Sequence, residues 1–209
     1  MSRAGHARIE RILTSGTFSL DGGTWEVENN VWIIGDGTEA IVIDPAHDPG
    51  AAAGAVADRT VTAVLLTHGH DDHIRHAREF AEKVGAPVLL HPADQMLWEA
   101  VYPGTAPDAE IADGEIFSVA GTELTALHTP GHTPGSVCFH APALGTVFTG
   151  DTLFAGGPGA TGRTYSRLPA PASSPSPRKP WSTPATATPP PSAPRPPTCR
   201  NGSTAATEP

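Results

Sequence analysis

The sequence has few of the features that mark secreted, membrane-spanning or nucleic-acid-binding proteins. It has two cysteines in 209 residues, too few for a disulfide framework, so a reducing compartment is expected. No apolar run approaches the ~20 residues needed to cross a bilayer, and the N-terminus lacks the apolar core of a signal peptide. Acidic residues outnumber basic ones by 22 to 13, whereas a nucleic-acid partner needs a basic surface. These absences predict a soluble, cytoplasmic protein with no membrane or nucleic-acid partner.

Histidine and aspartate are concentrated in one short stretch. Residues 67–73 read T-H-G-H-D-D-H, which places three imidazoles and two carboxylates within seven residues. Neutral imidazoles and carboxylates are the donors that suit zinc, iron or manganese. A polar helix start would account for Asp71 or Asp72, but not for three histidines at this spacing. The stretch therefore predicts a divalent-metal site.

The metal-binding stretch is predicted to lie on a loop between a strand and a helix. Residues 61–67 form a continuous apolar run of strand length, and residues 74–84 have helical spacing. The exposed amides at the start of a helix also favour a carboxylate there. Two ligand pairs can then face two metals, one from the turn and one from the helix start: His68 with His70, and Asp72 with His73.

The rest of the chain up to residue 166 reads as short strands and helices. An antiparallel meander is expected before Asp44, which ends a buried strand and either orients a histidine or simply forms an Asp-Pro turn. Residues 102–113 are expected to form a loop where a substrate could rest, and Met96, Leu97 and Trp98 to line the core or a cleft. The predicted strands are residues 17–20, 25–34, 40–43, 61–67, 86–91, 115–119, 122–127, 136–139 and 146–149, and the predicted helices are residues 50–57, 74–84 and 93–101.

The pattern H-x-H-x-D-H after a buried strand resembles the signature of the metallo-β-lactamase superfamily. Other pieces occur in that superfamily's order: Asp44 in A-I-V-I-D-P, His132 in H-T-P-G-H-T-P-G-S and Asp151 in V-F-T-G-D-T-L-F. The resemblance covers residues ~17–166, judged by motif spacing. It implies one incomplete domain, residues 1–166, with an α/β fold: a four-layer αβ/βα sandwich of two mixed sheets, with helices outside and metals at one edge.

The resemblance also implies roles for individual residues. Two divalent metal ions are expected, zinc before iron or manganese. Asp72 is the expected catalytic residue, because its carboxylate could pass a proton. The implied ligands are His68, His70 and His132 for one metal, Asp72 and His73 for the other, and Asp151 as the bridge. Outside this set, His91 is expected to be structural, His76 to lie at the surface or behind the ligands, and His128 to be a neighbour of His132.

One segment points to a branch of the superfamily. Residues 150–163, G-D-T-L-F-A-G-G-P-G-A-T-G-R, resemble the glyoxalase II (hydroxyacylglutathione hydrolase) branch, which hydrolyses thioesters. The implied activity is hydrolysis of a small-molecule hydroxyacyl thioester by a metal-bound hydroxide. The alternatives are a mononuclear iron persulfide dioxygenase and an inactive, truncated remnant that binds one metal weakly.

The composition changes abruptly after Ser166. Thirteen of the last 43 residues are proline, with no Val, Ile or Phe among them, so residues 167–209 are expected to be a disordered tail. Pro, Ala, Thr, Ser and Arg are also what a GC-rich gene yields when it is read out of frame. Back-translation of residues 172–208 in another frame permits a peptide that contains G-H-G-D. By the resemblance, the histidine of G-H-G-D is the superfamily's last metal ligand. A native linker and a frame-shifted C-terminus that lacks this ligand are the two interpretations.

Overall fold

Two stacked sheets make up the described part of the protein. This computed structural model describes residues 6–20, 22–154 and 157–159. The prediction of a disordered or frame-shifted tail over residues 167–209 lies outside these residues. None of the helices in the described ranges has the length and apolarity needed to span a bilayer.

The first sheet has six strands in sequence order and is mixed. Its first three strands pair antiparallel, which confirms the predicted meander. The following pairs are parallel, because helices and loops carry the chain back to the same end of the sheet each time. The strands are β1 (Arg8–Leu20), β2 (Gly23–Gly35), β3 (Glu39–Ile43), β4 (Thr60–Leu65), β5 (Val88–Leu90) and β6 (Ala109–Glu110).

The second sheet has four strands, in the order β10-β9-β8-β7. All of its pairs are antiparallel, so it differs from the mixed sheet that was expected. Direct hairpin-like connections explain the difference, since parallel neighbours would need long crossovers. The strands are β7 (Ile116–Val119), β8 (Thr122–His128), β9 (Val137–Ala141) and β10 (Thr146–Phe148), and a short separate pair follows, β11 (Leu153–Phe154) with β12 (Gly157–Pro158).

The central strands of the first sheet are buried on both faces. Side chains alternate along its strands, so that Ile33 and Val42 face the helices while Ile34 and Ile41 face the second sheet. This arrangement explains why the central strands read as continuous apolar runs. The predicted sandwich of two sheets is confirmed, and the described helices all pack on the outer face of the first sheet, whereas the predicted four layers would place helices on both outer faces. The helices are α1 (Pro49–Val56), α2 (Asp71–Ile74), α3 (Ala77–Val84) and α4 (Gln95–Val101).

The predicted helix over residues 74–84 is in fact two helices. It breaks between α2 and α3, where the Tyr102 hydroxyl lies 2.8 Å from the Ile74 carbonyl oxygen and 2.7 Å from that of Arg75. Donation by this hydroxyl satisfies carbonyl groups at the break that a continuous helix would have bonded itself. The first strand is also longer than predicted, because β1 begins at Arg8 and not at Thr17, and it forms one edge of the first sheet.

Candidate metal centre

The predicted ligands lie on loops at one edge of the stacked sheets. His68 and His70 belong to the turn after β4, while Asp72 and His73 lie in α2. His132 lies on the loop between β8 and β9. Asp151 follows β10 in a short 3₁₀ turn. Strands from both sheets therefore end where these side chains meet, which fixes the loops to a rigid framework.

Three histidines form the first cluster, defined as His68, His70 and His132. Their ring centroids lie 4.6 to 4.8 Å apart in each pair. One ring nitrogen of each lies within 4.8 Å of the others, and Nδ1 of His70 is 2.9 Å from Nε2 of His132. A metal bound by tetrahedral nitrogen ligands at about 2.0 Å needs such convergent nitrogens. The first cluster therefore has the donors and spacing for one divalent ion.

A second cluster shares His68 and adds His73 and Asp151. Nε2 of His73 lies 3.4 Å from Oδ1 of Asp151 and 3.6 Å from Oδ2 of Asp72. The other oxygen of Asp151 lies 3.5 Å from Nε2 of His132. The Asp151 carboxylate thus has one oxygen beside His73 of its own cluster and the other beside His132 of the first cluster, a placement that suits a bridging ligand. The ligand roles themselves stay predictions.

Asp44 fixes which nitrogen of two histidines faces the site. Its Oδ2 accepts hydrogen bonds from the Thr67 hydroxyl at 2.6 Å and from Nδ1 of His73 at 3.0 Å. Because the Thr67 hydroxyl donates to Asp44, it can accept from Nδ1 of His68, 3.0 Å away. In their neutral forms both imidazoles then carry the proton on Nδ1 and leave Nε2 as a lone-pair donor. Of the two interpretations of Asp44, the structure supports the orienting one.

Asn29 holds Asp72 in a similar way. Its Nδ2 donates to Oδ2 of Asp72 at 3.0 Å and to the Asp72 backbone carbonyl at 3.3 Å. Both side chains are buried. Asn29 lies on β2, 43 residues from Asp72, so no local pattern in the sequence connects the two residues.

The electrostatics of the site favour a cation. Burial holds the pKa of His68 well below its usual range and lowers the pKa of His70 to about 4, so both rings are neutral, as metal ligands must be. Burial also opposes protonation of His73, but the carboxylates of Asp72, Asp151 and Asp44 outweigh it and raise the pKa of His73. Nε2 of His68 is buried without a hydrogen-bond partner, which is costly unless another group satisfies it. A divalent ion would satisfy this nitrogen and balance the carboxylates.

The remaining histidines lie outside both clusters. His91 and His128 stack on each other with ring centroids 4.0 Å apart, which agrees with the structural role expected for His91. His76 lies 3.6 Å from Glu79 on α3.

Trp98 is fully buried in the core, whereas Met96 is 72% exposed.

The family model of the metallo-beta-lactamase superfamily matches residues 24–197 of the sequence. The chain belongs to the metallo-beta-lactamase superfamily. Solved structures support the same fold. The BLEG-1 B3 metallo-beta-lactamase superposes with a TM-score of 0.57 at 23% identity, covering 72% of this chain and 77% of that one.

Two further structures of the superfamily have higher identity to this chain. ETHE1 from Myxococcus xanthus has a TM-score of 0.52 and 29% identity, covering 63% of this chain and 56% of that one. TTHA1623, solved in a di-iron-bound form, has a TM-score of 0.51 and 30% identity, covering 63% of this chain and 71% of that one.

Sequence relatives include enzymes of two named activities. An uncharacterised protein of Aquifex aeolicus is 36% identical over 132 residues, 58% of this chain and 63% of that protein. A hydroxyacylglutathione hydrolase of Pseudomonas aeruginosa is 34% identical over 148 residues, which cover 68% of this chain and 53% of that protein. An atrochrysone carboxyl ACP thioesterase of Paecilomyces divaricatus is 32% identical over 160 residues, 72% and 46%. The chain spans less than two thirds of the length of these superfamily members.

Proposed function

We propose that the protein is a metal-dependent hydrolase of small-molecule hydroxyacyl thioesters. The observation that carries this proposal is the placement of Asp151, whose two carboxylate oxygens lie 3.4 Å from Nε2 of His73 and 3.5 Å from Nε2 of His132, because a carboxylate with one oxygen toward each ligand set suits a two-metal hydrolase. The relatives support the substrate class, because hydroxyacylglutathione is a thioester and the second relative is a thioesterase.

In this proposal the first cluster and the Asp72, His73 and Asp151 group would each hold one divalent ion, with zinc as the first choice. Bound there, the ions would polarise the thioester carbonyl and lower the pKa of water to about 7. Asp72 would pass a proton during the reaction, and the Asn29 amide donates a hydrogen bond to its carboxylate. A thiolate is a good leaving group, so no strong general acid is required.

An apolar wall beside the first cluster supports an organic substrate. The Phe18 ring lies 5.4 Å from the His70 ring and stacks on Trp25 at 5.9 Å. Both aromatic residues belong to the β1–β2 hairpin, which extends beside the metal-binding loop. We propose that this pair contacts the acyl or thiol part of the substrate.

A mononuclear iron persulfide dioxygenase is the second candidate. The second cluster consists of two imidazoles and one carboxylate, the donor set of non-haem iron oxygenases. The structural likeness to ETHE1 agrees with this candidate. An inactive remnant that binds one metal weakly is the candidate without catalysis.

Turnover assays on protein loaded with zinc, iron or manganese distinguish these candidates. We expect thiol release from a hydroxyacyl-glutathione thioester, without oxygen consumption when a glutathione persulfide is supplied. The Asp151→Asn variant should lose most of this hydrolysis, while Asp48→Asn, at the exposed cap of α1, should retain it. Oxygen uptake with the iron form and no thiol release would favour the dioxygenase, and a protein silent in both assays would be the remnant.

A further inference from the structure

Asp94 is a fully buried carboxylate beside the metal centre that belongs to neither cluster. It is 0% exposed and accepts three hydrogen bonds from two different loops. Its Oδ2 accepts from the Gly69 amide at 2.8 Å and from the Thr133 hydroxyl at 2.6 Å. Its Oδ1 accepts from the Gly135 amide at 2.6 Å.

These partners alternate with the histidines of the first cluster. Gly69 lies between His68 and His70, and Thr133 follows His132 directly. One carboxylate thus joins the two loops that together supply all three imidazoles. Because the loops come from different sheets, their relative position depends on a direct link of this kind.

Each loop approaches Asp94 at a glycine, where a Cβ atom would crowd the contact. A Cβ atom at Gly135 would lie 2.6 Å from the Asp94 carboxyl carbon, and one at Gly69 would lie 3.0 Å from the Asp94 Cβ. The glycines of H-G-H and T-P-G-S therefore allow the backbone amides to reach the carboxylate.

The Asp94 side chain does not serve its own helix. Asp94 precedes α4 at the position where aspartate commonly caps a helix, yet its side chain makes no cap hydrogen bond there. Both oxygens are instead directed to the metal-binding loops. A carboxylate needed only to start α4 would face the other way.

We propose that Asp94 is a positioning residue that sets the separation of His70 and His132, and thereby the metal affinity of the first cluster. This inference rests on the proposed function, because it assumes that the first cluster binds a divalent ion. Residues that orient metal ligands typically contribute 10- to 100-fold to affinity.

Zinc affinity, measured by competition with a chromophoric chelator, tests this inference. In Asp94→Asn an amide NH₂ group replaces one carboxylate oxygen, so that it faces an N–H or O–H donor and cannot accept its hydrogen bond. We therefore expect zinc affinity to fall by about 10- to 100-fold. Thr133→Val removes a single donor and should weaken binding, whereas Thr133→Ser keeps the hydroxyl and should restore it. Asp108→Asn is the matched control, since Asp108 accepts from the Val88 amide away from the histidines. The visible spectrum of the cobalt(II) form should change in Asp94→Asn but not in Asp108→Asn.

The outcomes separate the inference from the proposed function. Wild-type protein that binds no zinc would overturn both. If wild type binds and Asp94→Asn and Thr133→Val bind equally well, the inference alone is wrong. An affinity loss in Asp108→Asn as large as in Asp94→Asn would also overturn it, because general destabilisation would then explain the effect. If Asp94→Asn does not fold, the comparison of Thr133→Val with Thr133→Ser decides.

Discussion

Asp44 orients two of the histidines of the candidate site. Through its Oδ2 it sets the proton position on His73 directly and, through the Thr67 hydroxyl, on His68. Its other oxygen accepts from the Thr67 amide at 2.8 Å. The Asp44 backbone has a φ of 48°, a left-handed conformation that Asp and Asn tolerate better than other side chains. Asparagine at this position therefore changes the hydrogen bonding without straining the backbone.

We expect Asp44→Asn to weaken zinc binding by about 10- to 100-fold, because His68 and His73 lose the acceptor that orients them. The free energy of unfolding of the metal-free protein should fall by about 1–3 kcal/mol, since a buried donor is left without an acceptor. Chelator competition and urea unfolding measure the two effects. Asp48→Asn serves as the control, and unchanged zinc affinity in Asp44→Asn would contradict this role for Asp44.

At the scale of elements, strand β1 is held by an ion pair as well as by its neighbour β2. Arg59 Nη1 lies 2.8 Å from Glu10 Oε1, and the Arg59 side chain is only 7% exposed. Arg59 also donates to the carbonyls of Ala55 and Val56 at the end of α1. The ion pair therefore links the edge strand β1 to the C-terminal end of helix α1. Burial raises the pKa of Glu10, but Arg59 and Arg8 outweigh it and hold the pKa below its usual 4.5.

This ion pair predicts a pH-dependent contribution to stability. A lowered pKa in the folded state means that ionised Glu10 stabilises the fold above pH 4.5 and that this contribution is lost as the pH falls through the folded-state pKa. Glu10→Gln should therefore lower the free energy of unfolding at pH 7 by about 0.5 kcal/mol, and the difference should shrink below pH 4.5. Urea unfolding at several pH values, with exposed Glu28→Gln as control, measures it. A difference that grows toward acid pH would contradict the sign.

The elements also show how far sequence patterns reach. Apolar runs and turn residues predicted the central strands, and H-x-H-x-D-H with its flanking strand predicted a metal site on that loop. His132 and Asp151 were implied only by the resemblance to the superfamily, and the structure places both beside the histidines of the loop. The break between α2 and α3 was missed because it depends on Tyr102, far along the chain. Asn29 and Asp94 were missed for the same reason. They contact the loop through bonds spanning 43 and 25 residues, and neither carries a local motif.

At the scale of the whole molecule, the two sheets bring loops from distant parts of the chain to one edge. We propose that residues 1–166 form the metal-binding domain and that the Pro-rich residues 167–209 are a separate segment of the chain. No histidine follows His140 in the sequence. The second metal would then have only Asp72, His73 and a share of Asp151 as protein ligands, so we propose that it binds more weakly than the first.

Remaking the gene so that its end is read in the alternative frame tests this proposal. The repaired chain would carry the G-H-G-D histidine. We expect it to bind more zinc at the second position than the present chain, and to release thiol from a thioester faster. Solubility should also improve, because a native C-terminal segment would cover apolar surface on the sandwich. If the repaired protein gains neither metal nor rate, the frame-shift account is wrong and the Pro-rich tail is native.

Metal stoichiometry of the purified chain tests the central claim most directly. After loading with zinc and removal of free metal, elemental analysis should show zinc bound to wild-type protein in stoichiometric amounts. His70→Ala should lose the ion of the first cluster, because only His68 and His132 would remain to hold it. His76→Ala, on the same stretch of chain but outside both clusters, should retain wild-type zinc content. Zinc content that is unchanged in His70→Ala, or absent from the wild type, would contradict the account.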